Sequence, residues 1–387
     1  MHRRTANEAV LLVGILLIAA NLRAPFTALP PLLGAIQADF GLTTLATGAL
    51  TTLPLLAFAL LSPFSALLAR EYGLERTLFG ALAAIGLGIA LRSAPAAWCL
   101  YLGTGIIGMG IAVGNVLLPS IVKRDFPRNV PTLTGTYALA MGLAAAVGSA
   151  VVIPLAHAWS WNAALLAFLI LPVSALMVWT TQIGNRPQPA ANTSTPPHQG
   201  KIWRSALAWQ VTLFLGLNST IYYVVVGWLP SILTDAGMSS AQAGSLHGVL
   251  QLATAVPGLL LGPILSRMRD QRIAAAIVCM FSATALLGLW AAPQIALVWS
   301  ILFGIGTGAG IILGLSLIGL RTSNAQQAAA LSGMSQCVGY LLASVGPMAI
   351  GALHDTLGGW AISLLLCAGL ALVAALMGVL AGRNCNL

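Results

Sequence analysis

Acid is what this chain has least of: eight Asp and Glu stand against seventeen Lys and Arg, and charged residues make up only 6% of it. With 58% hydrophobic residues and a mean hydropathy of +0.93, a soluble globular chain of 387 residues is excluded. A polytopic helical membrane protein fits. Lysine is nearly missing. Lys123 and Lys201 lie outside any G-x-x-x-x-G-K-[ST] loop, so an ATP-driven permease would need a separate nucleotide-binding partner. The five cysteines, Cys99, Cys279, Cys337, Cys367 and Cys385, are scattered and lack metal-ligand spacing, which argues against a disulfide framework or a metal centre. His157, His354 and Asp355 fall at helix ends without the spacing of a zinc site or a nucleophilic triad. No cofactor and no enzymatic activity are expected.

What the chain has in abundance is apolar length. Twelve windows near the ~20 residues of a membrane-crossing helix fall at about 9–33, 44–69, 77–95, 98–122, 132–156, 162–182, 207–232, 242–266, 273–292, 295–320, 328–352 and 360–381. The 41 glycines and 20 prolines suit membrane helices, where small residues allow close packing and prolines mark kinks. The basic amino-terminal stretch has the look of a signal peptide. Apolar character resumes beyond Arg23 without a convincing A-x-A site, so an uncleaved first span is expected.

With twelve spans, the loops sort by charge. All of the seventeen basic residues except Arg23 and Arg92 fall on the side shared by the two termini, while the opposite loops carry Asp39, Asp235 and Asp355. The positive-inside rule then puts both termini in the cytoplasm of a bacterial inner-membrane protein, and leaves no basic patch for nucleic acid. Arg92, near the outer end of the third span, is expected to snorkel to the interface.

Arg23 is different. It sits inside "IAANLRAPFTALPP", where an arginine at bilayer depth costs roughly 2.5–3.5 kcal/mol and normally faces a protein interior or a watery cavity. Pro25, Pro30 and Pro31 interrupt the helix around it, and such loosened backbone is tolerated only where neighbours or a cavity satisfy it. Arg23 is therefore read as the positive floor of a substrate pathway, with Asn21 and Thr27 positioned to hold it. No acid is embedded nearby. Cations would be repelled, whereas a small anion or the partly negative oxygens of a nitro group suit a guanidinium.

The halves repeat each other. "DFGLTTLATGAL" from Asp39 aligns with "DAGMSSAQAGSL" from Asp235, and Gly108, Gly110, Lys123, Gly135 and Gly148 fall on Gly306, Gly308, Arg321, Gly333 and Gly346. The polar stretch "QIGNRPQPAANTSTPPHQG" between them reads as a flexible linker. The division expected is a six-helix half at 1–182, a cytoplasmic linker at 183–204 and a second six-helix half at 205–387. A six-helix unit duplicated in parallel is the plan of transporters whose substrate site lies near the midplane.

Four stretches carry a family resemblance: "NLRAPFTALPPLL", "GIAVGNVLLPSIVKRDFP", "WLPSIL" and "QAGSLHGVLQLATAVPGLL". On these the chain resembles the major facilitator superfamily over essentially its whole length, and within it the cyanate porter branch, whose members include cyanate permeases and a 2-nitroimidazole transporter. The seventh and eighth spans and "AAALSGMSQCVGYLLA" look closest to the nitroimidazole side. The resemblance implies an all-α fold of twelve transmembrane helices in two pseudo-symmetric halves. It also implies a secondary transporter working by alternating access between those halves. One signature is degraded: "SALLAREYGLER" keeps Gly73 but not the usual Asp-Arg pair, so Arg70, Glu71, Glu75 and Arg76 are either a variant latch or ordinary loop charges.

The resemblance also says where to look for substrate contacts, since spans one, four, seven and ten line the cavity with two, five, eight and eleven beside them. The eighth offers His247, Gln251 and Thr254 on one helical face, and the eleventh offers Ser332, Gln336, Tyr340 and Ser344. The seventh supplies Asn218, Tyr222 and Tyr223, the fourth Asn115 and the fifth Tyr137. Each polar group is open to a second reading as a cross-helix bond. Aromatic faces suit a flat ring. His247 is the proton-carrying candidate if transport is proton-coupled, and a uniporter is equally allowed. A monomer is expected. The alternatives carried are a cyanate or other small-anion permease and a broad-range drug efflux antiporter; "GLAAAVG" is similar to a glycine-rich antiporter motif of the superfamily, and small-residue helix packing explains it equally well.

Overall fold

A computed structural model describes residues 2–42, 44–183 and 202–387. The expected linker lies almost wholly outside the described residues. Among those described, the chain is helical throughout, and twelve helices are long and apolar enough to cross a membrane. The first six spans are Ala9–Leu32, Thr52–Tyr72, Leu74–Arg92, Ala97–Asp125, Val130–Ala158 and Trp161–Thr180. Spans seven to twelve are Ala206–Asp235, Ser245–Arg267, Arg272–Ala291, Pro293–Leu320, Ala325–His354 and Ala361–Ala381. Burial separates them. Spans four and ten are 78% and 72% buried, whereas spans five and eleven are 12% and 22%, with apolar side chains such as Val147 and Met348 turned outward as a lipid environment allows.

The chain groups into two compact units. One joins Met1–Ile121 to the segment beginning at Ala140; the other joins Val122–Leu139 to the carboxy-terminal spans. The boundary differs from a simple cut at the linker for a packing reason. A side chain on Gly135 would meet the Gly258 carbonyl, and one on Gly262 would meet the Pro131 carbonyl, so the start of span five lies backbone to backbone on span eight.

Inside the first unit the packing is just as close. Trp179 lies across Gly14 and donates its indole N–H to the Glu75 carbonyl at 2.9 Å, tying span six to spans one and three. Gly88 and Gly103 bring spans three and four into backbone contact. In the second unit, Gly216 meets Gly339 where spans seven and eleven cross, beside a Thr212 to Ser335 hydroxyl bond of 3.0 Å.

The internal repeat is visible as matched local structure in each unit. Gly41 and Gly237 both take positive φ, at 63° and 91°, just past the helices ending at Phe40 and Asp235. A side chain would strain either turn. Asp39 accepts the Trp161 indole N–H at 2.9 Å, and Asp235 accepts that of Trp360 at 2.7 Å. One Asp-Gly turn and one tryptophan at the start of the last span are thus fastened identically in both halves of the sequence.

Candidate functional site

The first group of candidate residues surrounds a break in span one. Its helix runs to Asn21, resumes as Ala24–Thr27, and passes through a 3-10 turn at Pro30–Leu32 before Leu33–Phe40. The cause is local. The helix tightens where Leu22 and Arg23 donate to Ala19 and Ala20, and proline at 25, 30 and 31 removes three N–H donors from the ladder. Arg23 caps the short helix at φ −126° and ψ −50°, outside the regular helical region, and its side chain is half-buried.

Every neighbouring span of this unit holds the break. The Arg23 carbonyl accepts from the backbone N–H of Phe26 at 3.1 Å and of Thr27 at 3.0 Å, and from the Thr27 hydroxyl at 3.2 Å. Thr27 also donates to Ala145 of span five at 3.2 Å. Leu22 occupies the space left by Gly114 of span four, and Phe26 faces Phe58 of span two at 6.2 Å between ring centroids. Asn21 is fully buried and bonds Leu17 one turn earlier, so it supports its own helix. Asn115 is the one residue between Ile111 and Val122 that is not buried.

Arg92 overturns the snorkelling expectation. It is 1% exposed, and its Nη1 donates to the Pro25 carbonyl at 2.9 Å. Among the described residues its Nε and Nη2 have no partner. The reason is geometric: Gly103 lets span four press against the Arg92 backbone, and the side chain runs inward to the carbonyl at the break. The sequence marks Arg92 as the one basic residue besides Arg23 inside the apolar windows, but not the direction its side chain takes.

The second group belongs to the other unit. Tyr222 donates its hydroxyl to Gln251 Oε1 at 2.7 Å, and the Tyr222 and Tyr223 rings stand edge to face at 5.3 Å. His247 places Nε2 3.1 Å from the Val226 carbonyl one turn along span seven. All four side chains are half-buried, so spans seven and eight present two aromatic faces, an amide and an imidazole together. Three others behave differently. Asn218 is 4% exposed and spends its amide N–H on the Thr307 carbonyl at 3.1 Å, in a space Gly310 leaves open. Tyr137 is 2% exposed, with no hydroxyl partner among the described residues. Gln336 is buried and Tyr340 half-buried on span eleven.

Comparison with known proteins fits this architecture. The sequence model of the Major Facilitator Superfamily matches residues 11–344. A 2-nitroimidazole transporter of Escherichia coli (strain K12) is 54% identical over 379 residues, covering 98% of this chain and 96% of that protein. The cyanate transport protein of the same organism is 25% identical over 370 residues, covering 94% and 96%. Among solved structures, the superfamily transporter FucP in its outward conformation matches with a TM-score of 0.79 at 12% identity, over 96% of this chain and 98% of that one, a likeness of fold. Twelve apolar helices and bacterial transporter relatives make this a multi-pass inner-membrane protein. The chain belongs to the Major Facilitator Superfamily.

Proposed function

We propose that the protein is a secondary active transporter that carries a small polar, anionic or nitro-heteroaromatic solute of the 2-nitroimidazole kind, with Arg23 as the group that recognises it. The observation that carries this reading is a half-buried arginine at a helix break, in a chain 54% identical to a 2-nitroimidazole transporter. A guanidinium presents its N–H donors in one plane, which matches the paired oxygens of a nitro or carboxylate group. Every Asp and Glu of the chain lies at or beyond the end of a span, so a cation would meet no counter-charge there.

Tyr222 and Tyr223 supply the faces for a flat ring, and Gln251 an amide for its polar edge. Asn115, Gln336 and Tyr340 are further contacts. His247 carries the proton if transport is coupled to one. The halves at 1–182 and 205–387 alternate access as a monomer around the linker at 183–204, with both termini cytoplasmic as the loop charges direct.

A second reading, a permease for cyanate or another small anion, is favoured by the single candidate cation without an embedded acid and by the 25% identical cyanate relative. Thermal stability of the purified protein with 2-nitroimidazole, cyanate and small carboxylates separates the two, because a ligand that binds the folded state stabilises it by mass action. Stabilisation by the nitro-heterocycle supports the first reading. Stabilisation by small anions alone replaces it with the second.

A further inference from the structure

We propose that Arg92 is a positioning residue for substrate recognition, acting through the broken turn of span one that carries Arg23. The inference rests on the reading of Arg23 given above. Its observation is separate: a guanidinium 1% exposed, held by a single bond from Nη1 to the Pro25 carbonyl, with Nε and Nη2 unpartnered among the described residues. Buried cations with unmet donors are liabilities, and well-packed apolar replacements are often as stable or more so. Retention of one in a membrane span points to use rather than to stability.

The geometry specifies the use. Pro25 lies two residues past Arg23, in the one-turn helix Ala24–Thr27 that Arg23 caps. Thr27 fastens the far end of that turn to span five through the Ala145 carbonyl, and Arg92 fastens its start to span three. The turn is therefore clamped from two spans, and its own ladder is too short and too rich in proline to fix Arg23 unaided. Gly103 admits the close approach of span four that sets the Arg92 backbone. Arg92 touches no substrate in this account; it sets the direction in which Arg23 presents its charge.

The test is a double-mutant cycle on the full chain in proteoliposomes, with 2-nitroimidazole as the probe and KM and Vmax read separately. Arg92→Met should raise KM about tenfold with Vmax within about twofold, and Arg92→Lys, which keeps a donor of similar reach, should restore KM to within about threefold. In an Arg23→Gln background, Arg92→Met should add nothing further, because its effect runs through Arg23. Wild-type KM in Arg92→Met overturns the proposal. So does an undiminished tenfold effect in the Arg23→Gln background, which would make Arg92 an independent contact, and so does loss of Vmax with KM unchanged. If Arg92→Met does not reach the membrane, Arg92→Gln takes its place in the cycle with the same outcomes. Should Arg23→Gln itself transport with wild-type KM, the Arg23 reading falls and this inference with it. A weakened Arg23→Gln beside a normal Arg92→Met sinks this inference alone.

Discussion

Tyr222 of span seven donates its hydroxyl to Gln251 Oε1 of span eight at 2.7 Å, and this pair sits where a polar edge and an aromatic face are both half-exposed. A bond made only to hold two helices together would be read out in stability. One that also meets substrate would be read out in affinity. Tyr222→Phe and Gln251→Leu should each weaken binding of 2-nitroimidazole about tenfold, equivalent to about 1.4 kcal/mol. The double variant should be little worse than either, since the two act as a unit. Equilibrium binding in detergent measures this, and single variants with wild-type affinity would remove the pair from the site.

Asn218 gives the opposite expectation. Its amide bridges to Thr307, and a side chain on Gly310 would collide with it. Gly310→Ala should destabilise the fold by about 1–3 kcal/mol through overpacking. Adding Asn218→Ala should recover part of that loss by clearing the space. Denaturation of the three variants checks the order; no recovery in the double variant would contradict the packing described.

The matched Asp–Trp fastenings should matter similarly in both halves. Trp161→Phe and Trp360→Phe keep an aromatic ring but remove the N–H donated to Asp39 and Asp235 together with the second ring of the indole. Each should cost about 1 kcal/mol, less than a buried charged bond, because both carboxylates are exposed. In the second unit, the Trp360 ring also stacks on His354 at 4.0 Å, a contact that phenylalanine can retain. Unchanged thermal stability in both variants would reduce the repeat to a resemblance without energetic content.

His247 is the testable proton carrier. With Nε2 against the Val226 carbonyl, the neutral ring donates there and leaves Nδ1 to gain and lose the proton. If transport is proton-coupled, the rate of wild-type uptake should vary between about pH 5 and 8, the range in which histidine titrates, and His247→Gln should flatten that dependence. A pH profile unchanged in the variant ends the role.

Fold class was legible in the sequence because it rests on composition and length: an apolar window of about twenty residues has few alternatives to a membrane helix. The break at Arg23 was legible for the same kind of reason, since prolines at 25, 30 and 31 cannot donate to a helix. Arg92 was not. Whether an arginine near a span end snorkels or turns inward depends on which backbone carbonyl lies within reach, and Pro25 comes 67 residues earlier in the chain. The polar stripes were half legible. Periodicity placed His247 and Gln251 on one face of span eight, but it could not separate Tyr222, which meets Gln251, from Asn218, which a neighbouring glycine lets sink against span ten.

If Arg23 recognises the solute, equilibrium binding of 2-nitroimidazole to purified Arg23→Gln reads out its loss. The variant should be folded and membrane-inserted, with thermal stability near wild type and affinity weakened at least about thirtyfold, equivalent to about 2 kcal/mol, in line with loss of charge-assisted hydrogen bonds. Wild-type affinity in that variant would contradict the role of Arg23 and move the search to the tyrosines and amides of spans seven and eight.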